Sequence, residues 1–396
     1  MTVAKVAILG WFGATVPASF DGDAPPISEP PIGEKIVAFQ EATRHDRPAQ
    51  SGPRIAGGGT WPRQTSRQVT AVTLADLDRD GRLEVIANSL FDGVYVWNHE
   101  GQPFPGWPFS SSYVASASPA VADLDGDGSL EIAVTANYRL YVFRTNGTLY
   151  PGWGGFLPGV WPGSAALYDL DRDGDLEILA AYNAYGATPA GLYVWHHNAI
   201  LVSGWPQFVT EPVKGTPAVA DLDSDGEPEI VLSGNFDHNV YVWRADGTTF
   251  PGWPQHDDEF SEAYCSASIG DVDADGDMEI VSAGGSKLFV RHHDGTIAPG
   301  WPRNTITTID GSPALADIDD DGDLEIFLGN SMGGQAYGWH HDGTYVKGWP
   351  IQLRGPGQIM IDGNVAPTPA VGDVNGDAKI DIVIASGDSH EVYALR

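Results

Sequence analysis

The sequence predicts an all-β fold, a seven-bladed β-propeller built of four-stranded antiparallel blades. Three observations carry that expectation. An acidic loop recurs seven times, starting at Asp76, Asp123, Asp169, Asp221, Asp271, Asp317 and Asp373, at intervals of 47, 46, 52, 50, 46 and 56 residues. Each loop sits among short β-branched and aromatic runs separated by turn residues. The last unit stops after its third strand, while an unmatched Gly-Gly-Gly-Thr-Trp-Pro stands ahead of the first loop. A period of about fifty residues with four strands per unit is that of a propeller blade. A lone unit cannot bury both faces of its sheet, whereas radial packing buries both and leaves only short, protected edges.

The second unit shows the elements in order. Pro119 to Leu124 reads as a first strand, followed by the acidic loop. Glu131 to Thr135 and Leu140 to Arg144 read as second and third strands, being rich in β-branched and aromatic residues. Asn146-Gly147 is a two-residue hairpin signal, and a short fourth strand ends in Pro-Gly-Trp. The seventh unit lacks that fourth strand. Trp61-Pro62 matches Trp253-Pro254 and Trp301-Pro302, so the N-terminal segment is expected to complete blade seven and close the ring. The propeller is therefore assigned to residues 58–396. Residues 19–57, rich in Pro, Gly and charge, read as a linker or arm. Residues 1–18 resemble a secretory signal peptide, with Lys5 before an apolar run and Val16-Pro17-Ala18 at the cleavage end; the alternative is a hydrophobic N-terminal strand or tail. No stretch is long and apolar enough for a transmembrane segment.

Composition narrows the partners. Asp and Glu number 53 against 21 Lys and Arg, a net charge of −32, which repels nucleic acid and anionic lipid. The acid does not signal disorder, because 42 % of residues are hydrophobic, 13 are Trp, and the carboxylates cluster at regular intervals. Clustered carboxylates in a hydrophobic chain point to a cation.

The clusters share one spacing: acid at loop positions one, three, five and nine, with a small residue at six. The sets are Asp76, Asp78, Asp80 and Glu84; Asp123, Asp125, Asp127 and Glu131; Asp169, Asp171, Asp173 and Glu177; Asp221, Asp223, Asp225 and Glu229; Asp271, Asp273, Asp275 and Glu279; Asp317, Asp319, Asp321 and Glu325; and Asp373, Asn375, Asp377 and Asp381. Ca2+ takes about six to eight oxygen ligands at about 2.3–2.6 Å, and alternate side chains of a tight loop converge on one point. Glycine at position six (Gly81, Gly128, Gly174, Gly226, Gly276, Gly322) allows the bend. Mg2+ keeps more of its waters, so up to seven Ca2+ ions are expected. The seventh site is the weakest, with Asn375 for an aspartate, Ala378 for the glycine and Asp381 for the glutamate.

These units resemble FG-GAP or VCBS repeats, which build the seven-bladed propeller of integrin α chains and of many bacterial surface proteins. The resemblance spans residues 58–396. It implies that each calcium loop joins the first and second strands of its blade on one face of the disc, and that ligands bind the opposite face. Gly-Trp-Pro stands here where integrin repeats carry Phe-Gly and Gly-Ala-Pro.

Other features read as structural. Trp107, Trp153, Trp205, Trp253, Trp301 and Trp349 share a fourth-strand place with Trp61, and Trp97, Trp195, Trp243 and Trp339 share a third-strand place with Phe143. Residues repeated in nearly every blade pack between blades; Trp161, in a loop between blades, is the better ligand candidate. The pairs His196-His197, His292-His293 and His340-His341 fall just before the third hairpin turn and are not expected to bind zinc, since strand neighbours face opposite ways. Asn146-Gly147-Thr148 aligns with Asp-Gly-Thr turns, and Cys265 with Ala117 as a small packing residue. No nucleophile elbow, phosphate loop or metalloprotease helix is present, so catalysis is not expected.

Two connections exceed the usual length from Trp to loop. One, after Trp253, holds Asp257, Asp258, Glu259, Phe260 and Tyr264; the other, after Trp349, holds Arg354, Gln358, Met360 and Asp362. Variation on a fixed scaffold marks binding, and the two inserts, read as adjacent blade junctions on the face that the resemblance places opposite the calcium loops, are the expected ligand patch. The expected function is a secreted or cell-surface, bacterial recognition module for an extracellular protein or glycan. The alternatives are a surface-layer or filament subunit that self-assembles through its N-terminal arm, and a propeller-type enzyme such as a polysaccharide lyase.

Overall fold

The structure, a computed structural model, describes residues 61–67, 69–90, 92–110, 117–136, 139–154, 163–183, 189–213, 215–234, 237–257, 265–309, 311–329, 335–353, 368–374, 379–386 and 391–395. The signal-like segment 1–18, the arm 19–57 and Trp161 lie outside them. Among the described residues there is no helix, and the strands form seven antiparallel sheets. Six sheets have four strands paired in chain order; the seventh, Ala370–Gly372, Asp381–Ser386 and Glu391–Leu395, has three. The fold is a propeller with one sheet to each sequence repeat.

Blade four shows how the repeat dictates the sheet. Its strands are Ala218–Ala220, Glu229–Ser233, Asn239–Arg244 and Gln255–His256. The acidic loop joins the first two strands and pairs Ala220 with Glu229. Glu229 in turn pairs with Arg244, and Val240 with Gln255. The first strands of blades two to seven are three residues each, such as Ala120–Ala122 and Ser268–Gly270, and pack side by side from one blade to the next. Short strands of small residues fit the inner end of the sheets, where blades converge. Loops of neighbouring blades also meet: Arg172 Nη1 donates to Glu227 Oε1 at 3.2 Å, and Ser224 Oγ to the Gly276 carbonyl at 3.1 Å. The loops therefore share one face.

Both faces of a blade are buried, so second strands are buried along their length rather than alternating; all of Glu177–Tyr182 is buried. The core lies between blades. Leu179, Leu192, Val194 and Trp205 of blade three meet Val219, Ile230, Leu232 and Trp243 of blade four, and the other junctions repeat the arrangement. Each such fully buried side chain contributes about 1.5–3 kcal/mol.

The fourth-strand tryptophans serve this junction, as their repetition predicts. Five of them donate the indole N–H to a carbonyl of the next blade: Trp107 to Thr145 at 2.7 Å, Trp153 to His197 at 2.5 Å, Trp205 to Ala245 at 2.8 Å, and Trp253 to His293 and Trp301 to His341 at 2.7 Å. Trp61 makes the same bond to His99 of blade one at 3.0 Å. Its ring meets Trp97 edge-on at 6.0 Å and 68°, as Trp205 meets Trp243 at 6.0 Å and 73°. Trp61 thus holds, toward blade one, the station that each preceding blade's tryptophan holds toward the next. Where Trp-Pro stands in the other blades, the two residues after it form the fourth strand; the corresponding Arg63 and Gln64 belong to no strand, and the seventh sheet has three strands among the described residues, while residues 58–60 lie outside them.

A second junction device had no sequence expectation. In blades three, five, six and seven the residue five places before the loop carries a hydroxyl that accepts a backbone N–H from the preceding blade: Ser118 N to Ser164 Oγ at 2.9 Å, Thr216 N to Ser266 Oγ at 2.8 Å, Ser266 N to Ser312 Oγ at 2.9 Å, and Ser312 N to Thr368 Oγ1 at 3.0 Å. In blade one that place is Ala71. The small-residue readings also fit: Cys265 is buried, and the Asn146 and Asp246 side chains each accept from the Thr two residues on, which is a turn contact.

Candidate metal centres

The acidic loops brace themselves with carboxylate oxygens at positions one, five and nine, and Asp76 uses both of its own, its Oδ1 taking the Asp80 N–H at 3.1 Å. At position one, Asp76, Asp123, Asp169, Asp221, Asp271 and Asp317 accept the glycine N–H of position six through Oδ2, at 2.8–3.2 Å. At position five, Asp80, Asp127, Asp173, Asp225, Asp275 and Asp321 accept the N–H of position seven through Oδ1, at 2.6–3.2 Å. The position-nine glutamates Glu84, Glu131, Glu177, Glu229, Glu279 and Glu325 open the second strands, fully buried, and accept the N–H of position two through Oε2 at 2.8–3.1 Å. Asp381 does the same in the seventh loop, taking the Val374 N–H at 3.0 Å. Asp373 is described; Asn375, Asp377 and Ala378 lie outside the described residues.

The backbone bend needs two left-handed residues, of which the sequence announced one. Position-six glycines have φ from 85° to 102°. An added Cβ would meet nothing within 4 Å at Gly81, Gly174, Gly276 and Gly322, so glycine serves the dihedral angle and not a tight fit. Position four is left-handed as well, at Arg79, Arg172, Ser224, Ala274 and Asp320, with φ of 56–62°, and at Gly126 with φ of 65°. Non-glycine residues there carry a cost of about 1–3 kcal/mol each. Because residue type varies at that position, no sequence signal marked it.

The second oxygen of several carboxylates is left over. Oδ1 of Asp123, Asp169, Asp221, Asp271 and Asp317 is buried and accepts no hydrogen bond, and so is Oε1 of Glu84 and Glu229. A buried acceptor without a donor costs about 1–3 kcal/mol, more when charged, and the same atom is left this way in five loops. Burial pushes Glu84, Glu131, Glu229 and Glu279 up to about 7, against the pull of the position-two N–H, and the loop aspartates push the same way. Burial raises Glu177 and Glu325 too. A dication among these oxygens would satisfy them and remove the mutual repulsion; the residues present fit one.

The two histidines of each pair take different partners, as strand alternation implies, and both partners belong to the acidic loop. The first of each pair follows the third strand, directly across from the position-nine glutamate. His196 Nδ1 lies 2.9 Å from Glu177 Oε1, His292 Nδ1 3.1 Å from Glu279 Oε1, and His340 Nδ1 3.0 Å from Glu325 Oε1. The trios Asp171, Glu177 and His196, Asp273, Glu279 and His292, and Asp319, Glu325 and His340 each bring one ligand atom per residue within 4.8 Å of the others. The second histidine pairs with the position-seven aspartate: His197 with Asp175 at 3.1 Å, His293 with Asp277 at 3.4 Å, His341 with Asp323 at 2.5 Å.

The expected ligand patch is also revised. Asp257 does not face a ligand: it is 2 % exposed and pairs with Arg291, itself 3 % exposed. Asp258, Glu259, Phe260, Tyr264, Arg354, Gln358, Met360 and Asp362 lie outside the described residues. The two inserts belong to the junctions of blades four and five and of blades six and seven, so the junction of blades five and six stands between them.

Among the described residues, no helix is long and apolar enough to cross a membrane. No curated protein matches the chain in sequence. Among solved structures, the chain is similar to BamB from Moraxella catarrhalis at 13 % identity and a TM-score of 0.55, covering 85 % of this chain and 87 % of that one. BBS1N, in its complex with ARL6DN, aligns at 12 % identity and 0.51, covering 82 % and 89 %. Quinohemoprotein alcohol dehydrogenase from Comamonas testosteroni aligns at 10 % and 0.54, covering 81 % and 63 %. At such identities the likeness speaks to the propeller fold alone. The family described as FG-GAP-like repeat matches residues 76–134, 123–180, 221–282, 271–328 and 317–384, each match beginning at the fold's repeat unit on the first aspartate of a loop. Those spans cover more than half the chain, which belongs to the FG-GAP-like repeat family.

Proposed function

We propose that the chain is a calcium-binding β-propeller of the extracellular space or cell surface that recognises a protein or glycan and does not catalyse a reaction. The observation that carries the calcium reading is the repeated, donorless Oδ1 of the position-one aspartates, buried beside a position-nine glutamate. Oxygen donors in an acidic loop suit Ca2+, and extracellular modules work with weak sites at millimolar calcium. Bound calcium, at up to seven loops, would hold the first and second strands of each blade in register. Of the described carboxyls, those pushed up to about 7 are all position-nine glutamates, which are engaged in loop bracing and not in a cleft. In this reading residues 1–18 are a signal segment, residues 19–57 an arm, and residues 58–396 a ring whose seventh blade is completed from the N-terminal side. Trp61 on blade one supports that closure. Calorimetry with calcium, magnesium and chelator, paired with metal counting, tests the metal. A glycan array and pull-down with calcium present test the partner. A melting temperature unmoved by calcium, with fewer than about three ions bound, would overturn the calcium reading.

A further inference from the structure

The loops are not all alike. In blades two and four the residue across from the position-nine glutamate is Arg144 or Arg244, which cannot ligate a metal. In blade one it is Asn98, whose Oδ1 accepts the Glu100 and Gln102 N–H groups at 3.1 and 2.8 Å. In blades three, five and six it is a histidine, and its Nδ1 stands 2.9–3.1 Å from the glutamate oxygen that does not brace the loop. In those same loops the position-one Oδ1 of Asp169, Asp271 and Asp317 is buried without a donor.

We propose that the loops of blades three, five and six are sites for a transition-metal dication of the zinc class, and that only the remaining loops are all-oxygen sites. The inference rests on reading the loops as cation sites and narrows the calcium sites of that reading from seven loops to the four that lack a histidine. Ca2+ takes hard oxygen donors, whereas imidazole suits zinc, cobalt, nickel and iron. Two ligands about 2.0–2.2 Å from one zinc at the tetrahedral angle stand about 3.3–3.5 Å apart. The Glu–His separations fall just inside that edge, and the 4.0 Å from His196 Nδ1 to Asp171 Oδ2 falls just outside it. A dication drawn between them needs shifts of a few tenths of an ångström. The donor set is one imidazole nitrogen with glutamate and aspartate oxygens, a borderline set that follows the Irving–Williams order. The second histidine, tied to the position-seven aspartate, holds the loop against its hairpin and supplies no ligand.

Cobalt(II) is the probe, because its visible absorption reports nitrogen-containing, low-coordinate sites. The full chain, stripped with chelator and titrated with Co2+ in excess calcium, is expected to bind three cobalt ions with a visible band. The variant His196→Asn/His292→Asn/His340→Asn, which installs the residue blade one carries, is expected to lose all three and keep its calcium-induced rise in melting temperature. Should the triple variant not fold, each single substitution is expected to remove one ion of the three. X-ray absorption of the zinc-loaded native chain gives a reading without any substitution: imidazole scattering in the first shell supports the proposal, and an all-oxygen shell overturns it. Cobalt uptake unchanged in the folded variant also overturns it. Three cobalt sites in the native chain that the variant loses, with no calcium effect on either protein, would instead sink the calcium reading and leave this one standing.

Discussion

Arg291 and Asp257 form an ion pair inside the junction of blades four and five, each side chain 3 % exposed. Arg291 occupies the third-strand place that is Trp97, Phe143, Trp195, Trp243 or Trp339 in other blades. Its guanidinium lies over the Phe289 ring at 4.5 Å and reaches Ser282 Oγ at 3.3 Å. Asp257 closes the fourth strand of blade four, its N–H donating to the His238 carbonyl at 2.7 Å. The two departures from the repeat, a lost aromatic and a lengthened connection, are therefore one feature.

Breaking that pair should cost more than replacing it. Arg291→Ala or Asp257→Ala leaves one buried charge uncompensated and should destabilise by about 3–5 kcal/mol. The double change Arg291→Trp/Asp257→Ala restores the pattern of the other blades and should cost less than either single change. Denaturant unfolding of the native chain, Arg291→Trp, Asp257→Ala and Arg291→Trp/Asp257→Ala forms a double-mutant cycle. Additive losses would show that the two residues are uncoupled.

Calcium should stabilise the chain by mass action, about 2.7 kcal/mol per site at a hundredfold excess over Kd. The rise in melting temperature should saturate with calcium and be poorly reproduced by magnesium. Asp123→Ala removes both the brace on Gly128 and the donorless Oδ1 of an intact loop. It should cost more than Asp373→Ala, in a loop whose sequence already lacks the glycine and one carboxylate. Scanning calorimetry of the two variants in calcium and in chelator checks the order, and a larger loss for Asp373→Ala would reverse the ranking of the loops.

The pH dependence of the chelator-treated chain has a fixed sign. Glu84, Glu131, Glu229 and Glu279 sit at about 7 in the folded chain, above the ordinary 4.5. Between those values the folded state holds more protons than the unfolded one, so stability falls as pH rises. The contribution is fully present below about pH 4.5 and lost as pH passes 7. Without metal the melting temperature should therefore decline from pH 5 to pH 8. Saturating calcium, which binds the ionised glutamates, should flatten or invert that slope. A metal-free chain that grows more stable across this range would show that the position-nine carboxyls are ionised without help.

Much of this was legible in the repeat. Seven loop aspartates at near-regular intervals each marked one antiparallel sheet, because each repeat writes the same local rules. The departures were harder to read, because their meaning lies in a partner far along the chain. Arg291 looks like a failed aromatic until Asp257, 34 residues away, is placed beside it. The histidine pairs were set aside on strand alternation. The topology held the missing signal: in a four-stranded antiparallel blade the turn between third and fourth strands lies at the same end as the loop between first and second. Residues just before that turn, His196, His292 and His340, are therefore brought to the acidic loop. Position four of the loops left no trace, since a left-handed backbone is imposed there by the loop's own hydrogen bonds on Arg, Ser, Ala and Asp alike.

Ring closure yields the last prediction. Trp61 buries its ring against Val85, Ala87 and Trp97 and donates to the His99 carbonyl, as Trp205 serves blade four. If the segment around it completes blade seven, Trp61→Ala should cost about as much as Trp205→Ala, on the order of 3–5 kcal/mol. Deleting residues 58–65 should cost more, because the open edge of blade seven and the outer face of blade one both lose their cover. If residues 19–57 are an arm, deleting residues 19–50 should leave the melting temperature unchanged. Thermal unfolding of the three variants at one calcium concentration separates the cases. Equal melting temperatures for the two deletions would mean that the N-terminal segment rests on blade one without closing the ring.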